Sequence, residues 1–132
     1  MSQQEQKTKL CILRDIFRAI RECEMNFQDK YDLCLNEGMA LCSLSKKGKI
    51  TSSELAECLG LTNSNTSKVI RSIEEKGLIS RIMGKTDKRN MYFKISKAGI
   101  QKLEEMNEAE PEIDTVLSFI YDTKKEKTIS VL

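Results

Sequence analysis

The 132-residue sequence contains no histidine. Histidine is the usual base of Ser-His and Cys-His catalysis and the commonest zinc ligand, so its absence argues against those enzymes and against a typical zinc site. The six glycines are scattered and form no phosphate-cradling loop of the P-loop or dinucleotide-binding type. We therefore expect no enzymatic activity, no metal and no cofactor.

Long apolar runs and paired cysteines are also missing. No run approaches the roughly twenty apolar residues that a membrane helix needs. No CxxC spacing and no secretory leader accompany the five cysteines, which are Cys11, Cys23, Cys34, Cys42 and Cys58. This usage is typical of cytoplasmic thiols rather than of a disulfide framework. We expect a soluble, cytoplasmic protein without a membrane partner.

Residues 51–75 have the pattern of two short helices joined by a tight turn. Thr51 and Glu54 can form a capping box, so the first helix should begin near Ser52. Gly60 supplies the left-handed residue that ends this helix, and Thr62 can cap the next one. The second helix should bury Thr66, Val69, Ile70 and Ile73, which share one face.

Two packed helices joined by about three or four residues match the helix-turn-helix motif, in which early residues of the second helix meet DNA base edges. Short hydrogen-bonding or cationic side chains occupy these positions and the face beyond them: Asn63, Ser64, Asn65, Thr66, Ser67, Lys68 and Arg71. Such side chains can enter a groove without steric bulk. The alternative is an ordinary amphipathic helix with a solvated polar face.

Two strands follow, at residues 78–82 and 91–96, and the segment between them is rich in cations. Lys85, Lys88 and Arg89 at the tip of this hairpin could enter a minor groove, where negative potential is concentrated. Asp87 would be repelled by phosphate, so we expect it to brace Arg89 or Arg81 and support the wing. The alternative for this tip is a solvated turn.

Charge is distributed unevenly along the chain, although its net charge is only +2. Residues 62–97 hold nine Lys or Arg and three Asp or Glu, a net charge of +6. The remainder holds 13 basic and 17 acidic residues, a net charge of −4. Cations therefore gather on the proposed reading surface, where they would attract the phosphate backbone of double-stranded DNA.

Both ends of the chain are predicted to form helices with apolar faces. The first helix carries a wide stripe: Leu10, Ile12, Leu13, Ile16, Phe17, Ile20, Cys23 and Phe27. Another helix runs from Ser96 to Met106, and Pro111 fits the first turn of a last one that ends near residue 122. We expect these helices to pack against those of a second copy. The alternative is that they complete a monomeric core.

These patterns predict a mainly α fold with a small β-hairpin wing, a winged helix-turn-helix flanked by N- and C-terminal dimerisation helices. The chain is interpreted as one domain, with a DNA-binding part at about 36–97 and dimerisation parts at about 5–30 and 98–122. Asn36 is expected to cap a bridging helix, the KKGK segment at 46–49 to form its loop, and residues 123–132 to form a flexible tail.

In these segments the chain resembles the MarR family of bacterial transcriptional regulators. The similarity rests on ELAECLGLTNSNTSKVIRSIEEKGLISR, on Asp87-Lys88-Arg89 at the position of the family's D-x-R wing motif, and on ISKAGIQKL after the last strand. It implies a homodimer that binds a roughly palindromic operator and usually represses transcription. Some members of the family respond to small phenolic or lipophilic effectors, but no ligand signature can be carried over to this chain.

Cys11 lies in a setting similar to that of the family's peroxide-sensing members, which implies a possible redox role. Those members surround the thiol with tyrosines, whereas the early helices here offer only Tyr31, so no acidifying group is visible. The alternative is a small buried hydrophobic residue. A third hypothesis is a winged-helix module that binds protein rather than DNA, for which Tyr92 is the single candidate aromatic contact.

Overall fold

The computed structural model describes residues 8–84 and 90–127. In chain order its elements are α1 (Lys9–Tyr31), α2 (Leu35–Lys47), β1 (Lys49–Thr51), α3 (Ser52–Leu59), α4 (Asn63–Glu75), β2 (Ile79–Met83), β3 (Met91–Ile95), α5 (Lys97–Met106) and α6 (Glu110–Lys127), with a 3-10 turn at Asn107–Ala109. The predicted mainly α fold with a small β wing is confirmed. The chain divides into two compact units, one formed by the segments up to Asp32 and from Ala109, the other by Leu33–Glu108.

The first unit consists of α1 and α6, which pack against each other. Thr8 caps α1, since its hydroxyl accepts a hydrogen bond from the Cys11 N–H at 3.2 Å. Toward its other end α1 buries Cys23, Phe27 and Tyr31, and the rings of Phe27 and Tyr31 lie 4.9 Å apart. α6 continues past the predicted end at residue 122, so part of the expected tail is helical; residues 128–132 lie outside the described chain.

In the second unit, local capping signals set the bounds of α3 and α4 as predicted. The Thr51 N–H donates to Glu54 at 2.8 Å and the Glu54 N–H donates to the Thr51 hydroxyl at 3.2 Å, which completes the capping box. Gly60 ends α3 with φ of 68°. Thr62 then caps α4, because its hydroxyl accepts from the Asn65 N–H at 3.0 Å.

The core of this unit lies between α2, α3, α4 and the sheet. Its fully buried large side chains come from several of these elements: Leu33, Leu41, Leu44, Leu55 and Ile73. α5 also belongs to this unit, and its Gly99 and Met106 are buried. Its place in this unit differs from the prediction that residues 98–122 belong together to the dimerisation part.

The wing is a three-stranded antiparallel sheet in the order β1-β3-β2. β2 and β3 form the predicted hairpin, with Arg81 opposite Phe93. β1 pairs with the other edge of β3 and places Ile50 opposite Phe93. The prediction that residues 46–49 form a loop is therefore wrong at both ends: Lys47 still belongs to α2 and Lys49 begins β1.

The bridging helix α2 begins two residues earlier in the chain than predicted. Cys34, not Asn36, is its N-cap residue. The Glu37 carboxylate accepts a hydrogen bond from the Cys34 N–H at 2.9 Å, which satisfies a donor in this first turn that would otherwise lack a partner. Cysteine is not among the favoured N-cap residues, so the sequence did not reveal this start.

Gly99 allows α5 to pack against the turn before β2. A Cβ atom at this position would lie 2.2 Å from the Leu78 carbonyl oxygen and 2.6 Å from a side-chain carbon of Ile95. Ser96, the N-cap of α5, strengthens the same junction because its N–H donates to the Leu78 carbonyl at 2.9 Å. The close approach between the two segments therefore requires glycine.

We predict that Gly99→Ala lowers the free energy of unfolding by about 1–3 kcal/mol, because the added methyl group forces backbone to move in a packed region. Urea unfolding followed by circular dichroism measures this change. Gln101→Ala, at an exposed position of the same helix, is the control and should shift stability by less than about 0.5 kcal/mol. Equal stabilities of the two variants would contradict the assignment.

Candidate nucleic-acid interface

Helix α4 separates into a buried side and an exposed side. Val69, Ile70 and Ile73 are buried against the core. The exposed side carries six of the predicted contact residues: Asn63, Ser64, Asn65, Ser67, Lys68 and Arg71. The amides and hydroxyls of this group can donate and accept hydrogen bonds, and its two cations can pair with phosphate.

Thr66 is a correction to the predicted contact set. Its side chain is 0% exposed, and its hydroxyl donates to the Thr62 carbonyl at 2.8 Å. The helical spacing that groups Thr66 with Val69 and Ile73 turns it into the core, so its position early in the helix does not bring it to the surface. Thr66 is a structural residue of the turn.

The base of the wing is closed next to the cation-rich segment. The Gly84 N–H donates to the Asn90 carbonyl at 2.8 Å. Gly84 directly follows the end of β2, and Asn90 directly precedes the start of β3. Lys85, Asp87, Lys88 and Arg89 fall between these two residues and lie outside the described residues. Their roles at the wing tip remain predictions, as does the expected pairing of Asp87.

Arg81 has a partner that the sequence analysis did not name. Its Nε donates to the Glu74 carboxylate at 2.7 Å, and its guanidinium lies 5.3 Å from the centre of the Phe93 ring. The hydrogen bond and charge of Glu74 raise the pKa of Arg81 above its ordinary value. Because Glu74 belongs to α4 and Arg81 to β2, this pair connects the wing to α4.

A second carboxylate, on Glu37, contacts α4 and was also not predicted from the sequence. The Glu37 side chain is only 7% exposed. It accepts hydrogen bonds from the Ser72 hydroxyl at 2.5 Å and from the Lys76 ammonium at 3.2 Å, in addition to the Cys34 N–H. An acid three residues after a helix N-cap is a recognisable signal, but the misplaced start of α2 concealed it.

The pKa of Glu37 is set by opposing effects. Burial acts to raise it, but the hydrogen bonds from Ser72, from the Cys34 N–H and from Lys76 outweigh burial and leave the pKa below its ordinary value of 4.5. A lowered folded-state pKa means that the ionised carboxylate stabilises the fold above about pH 4.5. This contribution is lost as the pH falls through the lower, folded-state value.

The outer face of the wing sheet is basic. Lys49 and Lys94 are directly opposite each other in the β1–β3 register, and both are exposed. The Lys49 ammonium lies 5.2 Å from the centre of the Tyr92 ring, which is itself partly buried. Tyr92 is therefore not a freely presented aromatic side chain, which weakens the interpretation of this chain as a protein-binding module.

Cys11 lies in the first turn of α1, close to the cap. The Thr8 hydroxyl lowers the pKa of this thiol below its ordinary value, and the positive charge of Arg14 acts in the same direction. The structure thus supplies an acidifying environment that the sequence did not reveal. By contrast, burial raises the pKa of Cys23, and the charge of Glu112 adds to that effect. All five cysteines lie within the described residues, and none of them forms a disulfide bond there.

Within the first unit, α1 and α6 border a groove of about 570 Å³. Its lining is largely polar and includes Arg14, Arg18 and Glu112. One carboxylate oxygen of Glu112 is buried and has no hydrogen-bond partner among the described residues. A buried acceptor of this kind is costly unless a donor reaches it.

Residues 8–84 and 90–127 contain no group of three or more Cys, Asp or Glu side chains placed to hold a metal ion. In the same ranges, no helix combines the length and apolar character required to span a bilayer.

Comparisons with known proteins agree with this geometry. A family model described as the MarR family matches residues 33–91. Over 101 residues, which are 76% of this chain and 71% of the relative, the sequence is 34% identical to the uncharacterized HTH-type transcriptional regulator YpoP of Bacillus subtilis (strain 168).

Solved structures show the same fold. S. aureus MepR, determined in complex with DNA, is similar with a TM-score of 0.75 and 20% identity, over 93% of this chain and 92% of MepR. BpsR of Bordetella bronchiseptica, whose DNA binding is regulated by 6-hydroxynicotinic acid, gives a TM-score of 0.76 and 14% identity, over 94% and 96% of the two chains.

We predict that Cys11 reacts with iodoacetamide at a lower pH than an ordinary thiol, because a lowered pKa increases its thiolate fraction. Mass spectrometry of the alkylated peptides across a pH series gives the midpoint for each cysteine. Cys58, exposed in the other unit, serves as the internal comparison. The midpoint of Cys11 should lie below 9.0 and rise in Thr8→Ala. A midpoint that Thr8→Ala leaves unchanged would refute the role of Thr8.

Proposed function

This chain belongs to the MarR family of DNA-binding transcriptional regulators, and we propose that it acts as a homodimer that represses transcription by binding a roughly palindromic operator. It is a regulator rather than an enzyme. The observation that carries the proposal is the division of α4 into a buried apolar side and an exposed side of amides, hydroxyls and cations.

In this proposal, α4 is the reading helix and enters the major groove. Asn63, Asn65 and Ser67 meet base edges, because amide and hydroxyl groups can match the donor and acceptor pattern displayed there. Lys68 and Arg71 pair with phosphates on either side and fix the position of the helix. The likeness to MepR, a protein solved on DNA, supports this placement at the level of the fold.

The wing supplies the second contact of each subunit. Lys85, Lys88 and Arg89 are proposed to reach the adjacent minor groove and its phosphates. This assignment rests on the sequence of the segment and on the hairpin of β2 and β3 that brackets it. The Arg81–Glu74 pair supports it further, because it connects the strand leading to these cations with the reading helix.

Dimerisation is proposed to use the apolar stripe of α1. Leu10, Leu13 and Phe17 are spaced along one side of the helix, and their exposed fractions are 78%, 47% and 54%. Ile20, also exposed, extends the stripe by another turn. A contiguous apolar surface of this kind marks a protein interface, and a second copy would cover it.

The two reading helices of such a dimer would contact half-sites about one DNA turn apart. A small effector that changes the spacing of the helices would then lower operator affinity without touching the contact residues. The regulation of BpsR by 6-hydroxynicotinic acid supports a small-molecule effector by analogy of fold alone.

One alternative is favoured by the position of Cys11 in the first turn of α1, where the Thr8 hydroxyl and the nearby charge of Arg14 lower the pKa of its thiol. In that alternative, oxidation of the thiol replaces the effector as the signal. The two are distinguished by treating the wild-type protein and Cys11→Ser with peroxide and measuring operator affinity. If peroxide lowers the operator affinity of the wild-type protein but not of Cys11→Ser, the redox regulator is favoured. Unchanged operator affinity in both proteins would exclude it.

DNA contacts are tested first by selecting bound fragments of the source genome and then by titrating variants across a salt series. Arg89→Ala should weaken binding to every sequence, because one phosphate contact is lost. The slope of log affinity against log salt concentration, called here the salt slope, should become less steep by about one. Asn65→Ala should instead reduce discrimination at one base position by about 1–3 kcal/mol.

Lys30→Ala is the control for this series, since it removes an exposed cation from the last turn of α1, outside both the proposed DNA-contact surface and the apolar stripe. Its affinity and salt slope should match those of the wild-type protein. If Arg89→Ala binds as tightly as the control at low salt, the wing does not contact DNA. If the wild-type protein prefers no sequence over mixed DNA, the proposed function itself is wrong.

Phe17→Glu should convert the dimer into a monomer, because it places a charge in the centre of the apolar stripe. Sedimentation measures the mass of the particle, which should fall from twice the chain mass to the chain mass. Ser45→Glu introduces the same charge at an exposed position of α2, in the other unit, and should remain dimeric. A dimeric Phe17→Glu variant would rule out this surface as the interface.

A further inference from the structure

We propose that Glu37 is a positioning residue for operator recognition: its buried carboxylate fixes the orientation of the reading helix α4 relative to α2. The inference rests on the proposed function, because it assumes that α4 reads DNA sequence. It adds a residue that does not touch DNA and that the sequence analysis did not identify.

The geometry at Glu37 joins two elements through one side chain. On one side, the carboxylate accepts from the Cys34 N–H at 2.9 Å, at the start of α2. On the other side, it accepts from Ser72 in the last turn of α4 and from Lys76 immediately after that helix, at 2.5 and 3.2 Å. Three donors from two segments therefore converge on one buried carboxylate.

Apolar packing alone does not fix the rotation of α4 so closely. Val69, Ile70 and Ile73 bury the inner side of the helix, but hydrophobic burial is non-directional and tolerates small rotations. Hydrogen bonds depend steeply on distance and angle, particularly when the acceptor is charged and buried. The contacts from Ser72 and Lys76 therefore select one rotation and one axial position of the helix.

The effect of these contacts reaches the base-reading residues because an α-helix moves as a rigid element. Asn65 lies seven residues before Ser72 in the same helix, a separation of about 10 Å along its axis. A rotation allowed by the loss of the Glu37 contacts would move Asn65 and Ser67 away from their base edges. Phosphate contacts by long, mobile side chains such as Lys68 would adapt to the same rotation.

The charge of Glu37 and its proposed structural role predict opposite changes in DNA affinity when the residue is replaced. Replacing Glu37 with Gln removes one negative charge close to the DNA-binding helix, which by itself should strengthen attraction to a polyanion. A loss of operator affinity in Glu37→Gln would therefore oppose the Coulombic expectation. It would have to come from the geometry of the helix.

The experiment compares Glu37→Gln and Ser72→Ala with Glu75→Gln, which removes the same charge from an exposed position of α4. Dissociation constants for the selected operator and for mixed genomic DNA are measured for each full-length protein at one salt concentration. A smaller fraction of folded protein would raise both apparent dissociation constants by the same factor. The ratio of the two constants is therefore the quantity compared. Circular dichroism and urea unfolding define a temperature at which all variants are folded.

We expect Glu37→Gln and Ser72→Ala to lower the ratio of specific to non-specific affinity by about two- to thirtyfold, the range found for residues that act through a neighbour. Glu75→Gln should preserve the ratio. The double variant Glu37→Gln/Ser72→Ala should lose no more than the larger of the two single losses, because both act through one contact.

Ratios for Glu37→Gln and Ser72→Ala that match Glu75→Gln would overturn the inference while leaving the proposed function intact. Independent, additive losses would also overturn it. If the wild-type protein itself shows no preference for the operator, the failure belongs to the proposed function, since there is then no recognition for Glu37 to support.

Discussion

The burial of one side of α4 is the constraint on which the proposed DNA-binding surface depends. Val69, Ile70 and Ile73 are removed from water together with the hydroxyl-bearing Thr66, and this burial determines which residues of the helix remain outside. Hydrophobic burial supplies most of the driving force for such packing, but it is insensitive to small changes in orientation. Two acidic side chains make directional contacts at the end of α4: Glu37 of α2 accepts from Ser72 and Lys76, and Glu74 of α4 pairs with Arg81 of β2.

Electrostatics acts on this surface at two ranges. Over long distances, the excess of Lys and Arg between residues 62 and 97 attracts any phosphate backbone and sets the salt dependence of binding. At contact distance, discrimination among sequences needs hydrogen-bonding groups held at fixed positions. The proposed role of Glu37 belongs to the second requirement rather than the first, since the charge of its carboxylate opposes the attraction of DNA.

Local signals in the sequence predicted many of the helix and strand positions in the second unit. Thr51, Gly60 and Thr62 mark helix ends through interactions within a few residues, and the alternation around Phe93 marks a strand. Long-range partners were beyond such signals. The edge strand β1 forms only because Ile50 meets Phe93, 43 residues further along the chain, and nothing around residue 37 indicates that its carboxylate will meet Ser72.

The candidate site was also predicted only where local sequence signals determine it. Exposure of Asn65, Ser67 and Lys68 follows from helical periodicity, which the sequence displays directly. Thr66 was assigned both to the inner face and to the contact set, and its burial resolves that conflict in favour of the core. The partner of Arg81 could not be inferred, because it depends on how the sheet lies against the end of α4.

A hydroxyl-radical footprint on an operator selected from the source genome tests the central claim most directly, namely that two copies of this chain read DNA symmetrically through α4. The account predicts two protected stretches with twofold symmetry, centred about one helical turn, or roughly 34 Å, apart. A single asymmetric protected stretch, or no protection at a protein concentration that saturates binding, would contradict it.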